Sequence, residues 1–205
     1  MSIDARQQQL MLLQQQMRQC RRCSAAGYGV EPPAVFSGRA NARAMIIGQA
    51  PGVTEVSAGR PFNATAGKRL FAWLAEAGFD EADFRARHYM TSVTKCFPGK
   101  ARNGGGDRVP SRAEQALCRS FLAAEIDLVA PALIIPVGRL AIALFFDKSL
   151  PLTQIIGTQT ERNGAAIIPL PHPSGASTWH RSASNQRLIR GALRSIAARR
   201  KELNL

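Results

Sequence analysis

Acidic side chains are scarce in this sequence: 14 Asp and Glu stand against 27 Lys and Arg, a formal charge of +13 at pH 7. Counterion release draws so basic a chain onto polyanions, nucleic acid first. A ribosomal or membrane surface, or a merely solubilising charge, is the alternative. Also absent is an apolar run of the roughly 18 residues that a membrane span requires. The longest candidate, 133–146, is broken by Pro136, Gly138 and Arg139. The first residues carry Asp4 and a glutamine-rich amphipathic pattern where a signal peptide would have an apolar block. No membrane partner is therefore expected; a cytoplasmic, nucleoid-associated monomer is. Internal repeats are lacking too, and 45% hydrophobic residues exclude disorder.

What is present alternates between strand-like and helical segments. Leu10, Leu13 and Met17 recur at helical spacing, so a helix is expected over 4–19, running into Cys20 and Cys23. The Gly-, Pro- and Ala-rich stretch 24–41 reads as an extended loop. Residues 44–48 form a short apolar run ending at glycine, as a buried parallel strand does, and a loop follows to Ala64. Leu70, Phe71 and Leu74 give 66–77 a helical period that Gly78 stops. His88 to Cys96 alternates and predicts a second strand, and the glycine-rich stretch 97–111 predicts an irregular loop. Ser111 and Glu114 make a capping box opening a helix to Val129. A strand over 133–138, a helix over 139–146, a strand over 165–170 and a helix over 182–201 complete the series. The pattern predicts an α/β fold: a three-layer α/β/α sandwich on a central four-stranded, mostly parallel sheet, in one domain spanning 1–205.

Only four cysteines occur. Without a signal sequence, metal binding or burial explains them better than disulfides. Cys20-x-x-Cys23 lets two thiolates reach one centre from a single turn, while Cys96 and Cys118 arrive from distant segments. Tetrahedral zinc and an iron–sulfur cluster both fit, and an accidental pair with two buried cysteines remains the plain alternative.

Open parallel sheets bind ligands beyond the carboxyl ends of their strands. Three such ends carry distinctive residues: Gly48-Gln49-Ala50-Pro51-Gly52 with Glu55, Pro61 and Phe62 behind it; Thr91 to Cys96; and His172-Pro173-Ser174-Gly175-Ala176-Ser177. Glycines in the first turn let backbone amides approach a ligand, and the GxxxxGK(S/T) spacing of a nucleotide-binding loop is absent. His172, between two prolines, suits a preorganised donor or a structural role.

In order, Cys20-x-x-Cys23, GQAPG at 48–52, GRPFNATAGKRL at 59–70, YMTSVTKC at 89–96, RVPSRAEQALC at 108–118, APALIIPVGRLA at 130–141 and HPSGAS at 172–177 resemble the uracil-DNA glycosylase superfamily. Within it they most resemble the four-cysteine, iron–sulfur branch, family 4. The resemblance implies that fold and a hydrolase of base excision repair, which releases uracil from single- or double-stranded DNA and leaves an abasic site. It implies a 4Fe–4S cluster over zinc, held by Cys20, Cys23, Cys96 and Cys118, through which segment 1–41 packs on the domain. Phe62 resembles the shelf on which the flipped uracil stacks. The backbone at Gly48, Gln49 and Ala50 would face its edge and help position water, and His172 would donate to O2 as the base leaves. Ser174, Gly175, Ala176 and Ser177 resemble the loop that enters the DNA. Lys68 and Arg69 would touch phosphates, unless they are only a solvated helix face.

The sequence also departs from that pattern. Gln49 stands where the branch usually has glutamate, and Ala50 where other uracil glycosylases have aspartate, so the turn holds no carboxylate. Glu55 is the nearest alternative and Asp107 a remote one. Ser92 replaces the asparagine that reads uracil, leaving Asn63 as a candidate reader. The Cys96–Cys118 segment is longer than usual; it either tracks the DNA backbone through Lys100, Arg102 and Arg108 or is a plain insertion. No lysine stands in the motif region as a Schiff-base nucleophile, so a monofunctional enzyme is expected. Two alternatives stay open: a noncatalytic binder of DNA or abasic sites, and a glycosylase for another deaminated base.

Overall fold

A strand without one polar side chain is stable only where both of its faces are covered. Ala44–Gly48 (β1) is buried along its whole length in the middle of the sheet. The computed structural model describes residues 1–102, 106–175 and 177–205. Gly104 and Gly105 of the long loop, and Ala176 of the segment expected to enter DNA, lie outside the described residues. β1 pairs in parallel with Tyr89–Ser92 (β2) on one side and Leu133–Pro136 (β3) on the other. β3 continues in parallel to Ala165–Ile167 (β5), and Thr160–Arg162 (β4) adds an antiparallel edge, giving the order β2-β1-β3-β5-β4. The expected mostly parallel α/β layout is present, with five strands where four were expected. β4 is a hairpin partner of β5, turned at Asn163 and Gly164 with φ of 51° and 77°, the twin left-handed residues that a tight hairpin needs.

The helices are Ile3–Gln19 (α1), Arg22–Ala25 (α2), Val53–Ala58 (α3), Thr65–Glu76 (α4), Glu81–Arg87 (α5), Arg112–Val129 (α6), Arg139–Ile142 (α7), Leu152–Ile155 (α8) and Ala183–Glu202 (α9). Side chains alternate across a strand, and β1 sorts the layers accordingly. Ile46 packs with Leu70, Leu74, Phe84, Leu193 and Ile196, which brings α4, α5 and α9 to one face. Met45 and Ile47 pack with Leu10, Leu122, Val129 and Ala141, which brings α1, α6 and α7 to the other. The expected capping box opens α6: Ser111 Oγ accepts from Glu114 N–H, and Glu114 Oε2 from Ser111 N–H at 2.6 Å. A smaller cluster, Met17, Ala34, Phe36, Phe121 and Cys118, joins α1, α6 and the 30s loop around the cysteines.

Four expected elements end two or more residues early, among them β3 at Pro136 instead of Gly138 and β5 at Ile167 instead of Leu170. β2 stops at Ser92 instead of Cys96, because Lys95 turns inward to a buried ion pair with Glu125 at 2.6 Å. α7 stops at Ile142 instead of Phe146. No helix among the described residues is long and apolar enough to cross a membrane. From β1 the chain crosses to β2 on one side and then to β3 on the other, so a switch point opens beyond the carboxyl ends of β1 and β3.

Candidate active site and cysteine cradle

A cleft of about 420 Å³ lies at that switch point. Its walls include Gly48 to Glu55, Phe62, Ser92, Asp107 and His172, with Ser174 at the rim. Three chain segments expected to act together therefore meet.

His172 is half-buried, and burial alone holds its pKa below the ordinary value of 6.5. Its Nδ1 accepts the Ser174 N–H at 3.2 Å, which assigns the ring proton of the neutral imidazole to Nε2. The ring packs against Gly138, whose φ is 85°; a Cβ there would lie 2.9 Å from His172 Cδ2. Arg69 Nη1 donates to Pro173 O at 2.6 Å, fastening the same segment to α4. Arg69, named above as a possible phosphate contact, thus spends one guanidinium nitrogen on this internal bond. Lys68 is exposed on α4, away from the cleft wall.

Phe62 holds a left-handed backbone at φ 53°, which a residue with a Cβ adopts only when its surroundings enforce it. Arg85 supplies that enforcement. It donates to Pro61 O at 2.9 Å and Phe62 O at 2.8 Å, and it lies over the Phe71 ring at 4.5 Å. Gly67 is obligatory on the other side, since a Cβ would fall 1.8 Å from Phe62 O. The Phe62 ring in turn occupies the space a Gly48 side chain would need: a Cβ there would meet its Cζ at 2.9 Å.

The two candidate carboxylates differ. Glu55 Oε2 accepts from Gly52 N–H and the Thr54 hydroxyl, each at 3.1 Å; Oε1 accepts from Asn63 N–H at 3.1 Å and Ala64 N–H at 3.2 Å. Every strong acceptor position is used in tying the GQAPG turn to the Phe62 turn. Asp107, remote in sequence, is brought onto the cleft wall by the pairing of 99–101 with 106–108, Arg108 N–H donating to Gly99 O at 3.0 Å and Ala101 N–H to Gly106 O at 2.9 Å. Lys100 Nζ holds its Oδ1 at 2.7 Å. Lys100 is thus a cleft-wall lysine that sequence reasoning did not place there. Arg108 is committed to Glu114 at 2.5 Å and holds its carboxyl down at about 2. Neither Lys100 nor Arg108 is a free phosphate ligand in this arrangement; Arg102 is exposed.

Asn63 is not gathered into the cleft. Its side-chain oxygen accepts from Arg60 Nε at 3.0 Å, which turns the amide away from the cleft wall. Ser92 is in the wall, but its hydroxyl donates to Thr94 O at 2.7 Å. Gln49 and Ala50 are half-buried on the wall, Gly175 is exposed, and Ser177 N–H donates to Ser174 O at 3.2 Å.

Behind Ser92 lies a group the sequence did not announce. Lys95, 1% exposed, donates to Thr91 Oγ1 at 2.8 Å and Ser92 O at 2.5 Å while paired to Glu125, which is fully buried. Glu125 also accepts from the Tyr89 hydroxyl at 3.0 Å. The Lys95 N–H points to Cys118 Sγ at 3.4 Å, so the cleft and the cysteines share one structural residue.

Cys20, Cys23, Cys96 and Cys118 line a single small cavity of about 30 Å³, with Met17, Val30 and Phe121 among its apolar walls. Burial, then repulsion from Cys118, Cys20 and Cys23, pushes the Cys96 thiol up to about 12; Cys23 and Cys118 are raised as well, burial again first. Arg22 lies over the Phe121 ring at 4.4 Å and closes the rim. Among the described residues no three His, Cys, Asp or Glu side chains stand close enough to grip one ion as they are.

Fold and cleft together define an open α/β protein whose candidate ligand site lies at the switch point, lined by Phe62 and His172. The chain belongs to the Uracil DNA glycosylase superfamily, whose family profile matches residues 35–196. The Type-4 uracil-DNA glycosylase of Thermotoga maritima is 34% identical over 142 residues, covering 68% of this chain and 69% of that protein. Its namesake from Archaeoglobus fulgidus is 31% identical over 145 residues, 67% of this chain and 68% of the relative. That of Pyrobaculum aerophilum is 32% identical over 120 residues, 58% and 53% respectively. These relatives carry the name of the branch that the motifs resemble; Cys20 and Cys23 precede the segment the family profile matches.

Proposed function

We propose that the protein hydrolyses the N-glycosidic bond of deoxyuridine in DNA, releasing uracil and leaving an abasic site without cutting the strand. The observation that carries this reading is His172, held neutral with its Nδ1 occupied and its Nε2–H left to donate in the cleft that Phe62 lines. As the C1′–N1 bond breaks, its electron pair passes to uracil N1 and O2, and the Nε2–H donates to O2. Phe62 stacks on the base, and the backbone of Gly48 and Ala50 borders its edge. The oxocarbenium-like C1′ takes up water, positioned by Gln49, and the water's proton passes to a carboxylate. Asp107 suits that role better than Glu55, whose oxygens are spent on four donors.

Lys100 is ion-paired with Asp107, which favours hydrolysis over a Schiff-base route. Four thiols on one apolar-walled cavity fit a 4Fe–4S group held by Cys20, Cys23, Cys96 and Cys118. Bound there, it would tie three separate chain segments together. The partner is uracil-containing DNA, single- or double-stranded, met by a monomer of one domain in the cytoplasm.

One observation favours a second reading. Ser92 has spent its hydroxyl proton on Thr94 O and offers a base little discrimination, as suits a glycosylase for a different deaminated base. A base-release panel over DNA holding uracil, hypoxanthine or xanthine, run on the native protein, His172→Ala and Ser92→Asn, separates the two. Uracil release lowered about 10²- to 10³-fold in His172→Ala with DNA binding retained supports the first reading. Release of no base by protein with its metal centre intact overturns both and leaves a noncatalytic DNA binder.

A further inference from the structure

We propose that α9 carries a second, sequence-independent contact for the phosphate backbone, so that the DNA is gripped both at the cleft and along the C-terminal helix. The inference rests on the reading of the cleft as a DNA site. It starts from how α9 begins. The HPSGAS segment leads through one 3-10 turn, Trp179–Arg181, directly into Ser182, whose hydroxyl caps the helix by accepting from Asn185 N–H at 3.3 Å. Arg181 Nη2 donates back to Gly175 O at 3.1 Å, and Asn185 Nδ2 to Trp179 O at 2.8 Å. The amino end of α9 is therefore pinned to the rim of the cleft.

The helix buries Ile189, Ala192, Leu193 and Ile196. Arg187, Arg190 and Arg194 follow one another at three- and four-residue steps, so they share one flank of the outer face, and all three are exposed. Lys201, also exposed, continues the same line. None of Arg187, Arg190 and Arg194 is in an ion pair among the described residues. Four arginines on or near this side of the fold are committed: Arg199 to Glu202, Arg200 over the Phe79 ring, Arg85 to the Phe62 turn, Arg69 to Pro173. At 1.5 Å per residue, the row from the Ser182 cap to Arg194 is about 18 Å long. That is the length of about five nucleotide steps at 3.4 Å. Guanidinium groups take phosphate oxygens through paired N–H donors, and a row this long follows one strand away from the extruded base.

The test compares the intact protein with R187Q/R190Q/R194Q and with R187K/R190K/R194K, which keeps the charge. Binding to uracil-free duplex is measured against salt, and kcat and KM against uracil oligonucleotides of long and short flanks. Loss of three phosphate contacts should flatten the slope of log K against log salt by about 2.7. It should raise KM on long substrates without changing kcat, and the lysine variant should keep most of the slope. On substrates trimmed to fewer than about five nucleotides on one side, native and glutamine forms should converge. An unchanged slope together with an unchanged KM on long substrates overturns the proposal. The uracil-free arm needs no base release, so a failure of the glycosylase reading would be seen separately, in the turnover arm.

Discussion

Glu55 and Asp107 bring carboxylate oxygens to the same spot, 2.7 and 2.8 Å from where a Cβ on Gly52 would stand. One belongs to α3 and caps its first turn; the other arrives from a segment more than fifty residues later. A side chain at 52 would strike both, so this glycine is fixed by what converges on it. The two also differ in occupancy: Glu55 is saturated with donors while Asp107 is held by Lys100 at one oxygen.

Asp107→Asn should lower single-turnover base release by about 10²- to 10⁴-fold, the span of a lost general base, and leave the melting temperature in place. Glu55→Gln should do the reverse, costing about 1–3 kcal/mol of stability through backbone donors left short of an acceptor. Paired thermal melts and single-turnover assays check both. Catalytic loss in Glu55→Gln at native stability, with Asp107→Asn fully active, would exchange the two roles.

Gly138→Ala places a methyl group 2.9 Å from the His172 ring on a backbone at φ 85°. The ring has to move, so turnover should approach that of His172→Ala, about 10²- to 10³-fold down for one lost donor. DNA affinity and metal content should stay native. An active Gly138→Ala would show that the ring's position does not matter.

Removing one partner of the Lys95–Glu125 pair strands a buried charge. Glu125→Leu should cost about 3–5 kcal/mol, and the double variant Lys95→Met/Glu125→Leu should recover most of it. Denaturant melts of the two proteins give the comparison. Equal stabilities would mean that the pair contributes no coupling.

His88 sits between the rings of Phe79 and Phe84, at 5.6 and 4.7 Å, with neither ring nitrogen bonded. Burial, reinforced by Arg87 and opposed by Asp83, lowers its pKa from 6.5 to about 4. The unfolded chain regains the ordinary value, so between pH 6.5 and 4 it holds the extra proton. This share of stability is complete above pH 6.5 and is lost as pH falls toward 4. His88→Phe should flatten that acid limb in thermal melts from pH 4 to 7; an unchanged limb would assign the acid loss to other groups.

How well the sequence announced each part follows from where its information lay. β1 and the α6 capping box are written in adjacent residues, and both formed as expected. β4 was overlooked because its three residues are all exposed and carry no alternation, although Asn163-Gly164 was a hairpin signal in plain view. α5 buries only Phe84, so no apolar period marks it; its signs are the Asp80 cap and the Glu81–Arg85 and Asp83–Arg87 pairs. Gln49, Phe62, Ser92 and His172 were legible as strand-end motifs and do share one cleft. Asn63 lies off the cleft wall, its amide oxygen claimed by its neighbour Arg60, a local pairing the motif did not reveal. The nearness of Asp107 to Gly52 and the pairing of Lys95 with Glu125 depend on tertiary geometry, which no local pattern encodes.

The two margins of the sheet are both blunted. β2 is covered by the 30s loop, where Ser37 and Met90 exchange backbone bonds at 2.9 and 2.8 Å, and the opposite side ends in three exposed residues including Glu161 and Arg162. Neither border offers a long open row of amides and carbonyls for another chain to pair with. Self-association by strand addition is thereby discouraged wherever the protein is concentrated.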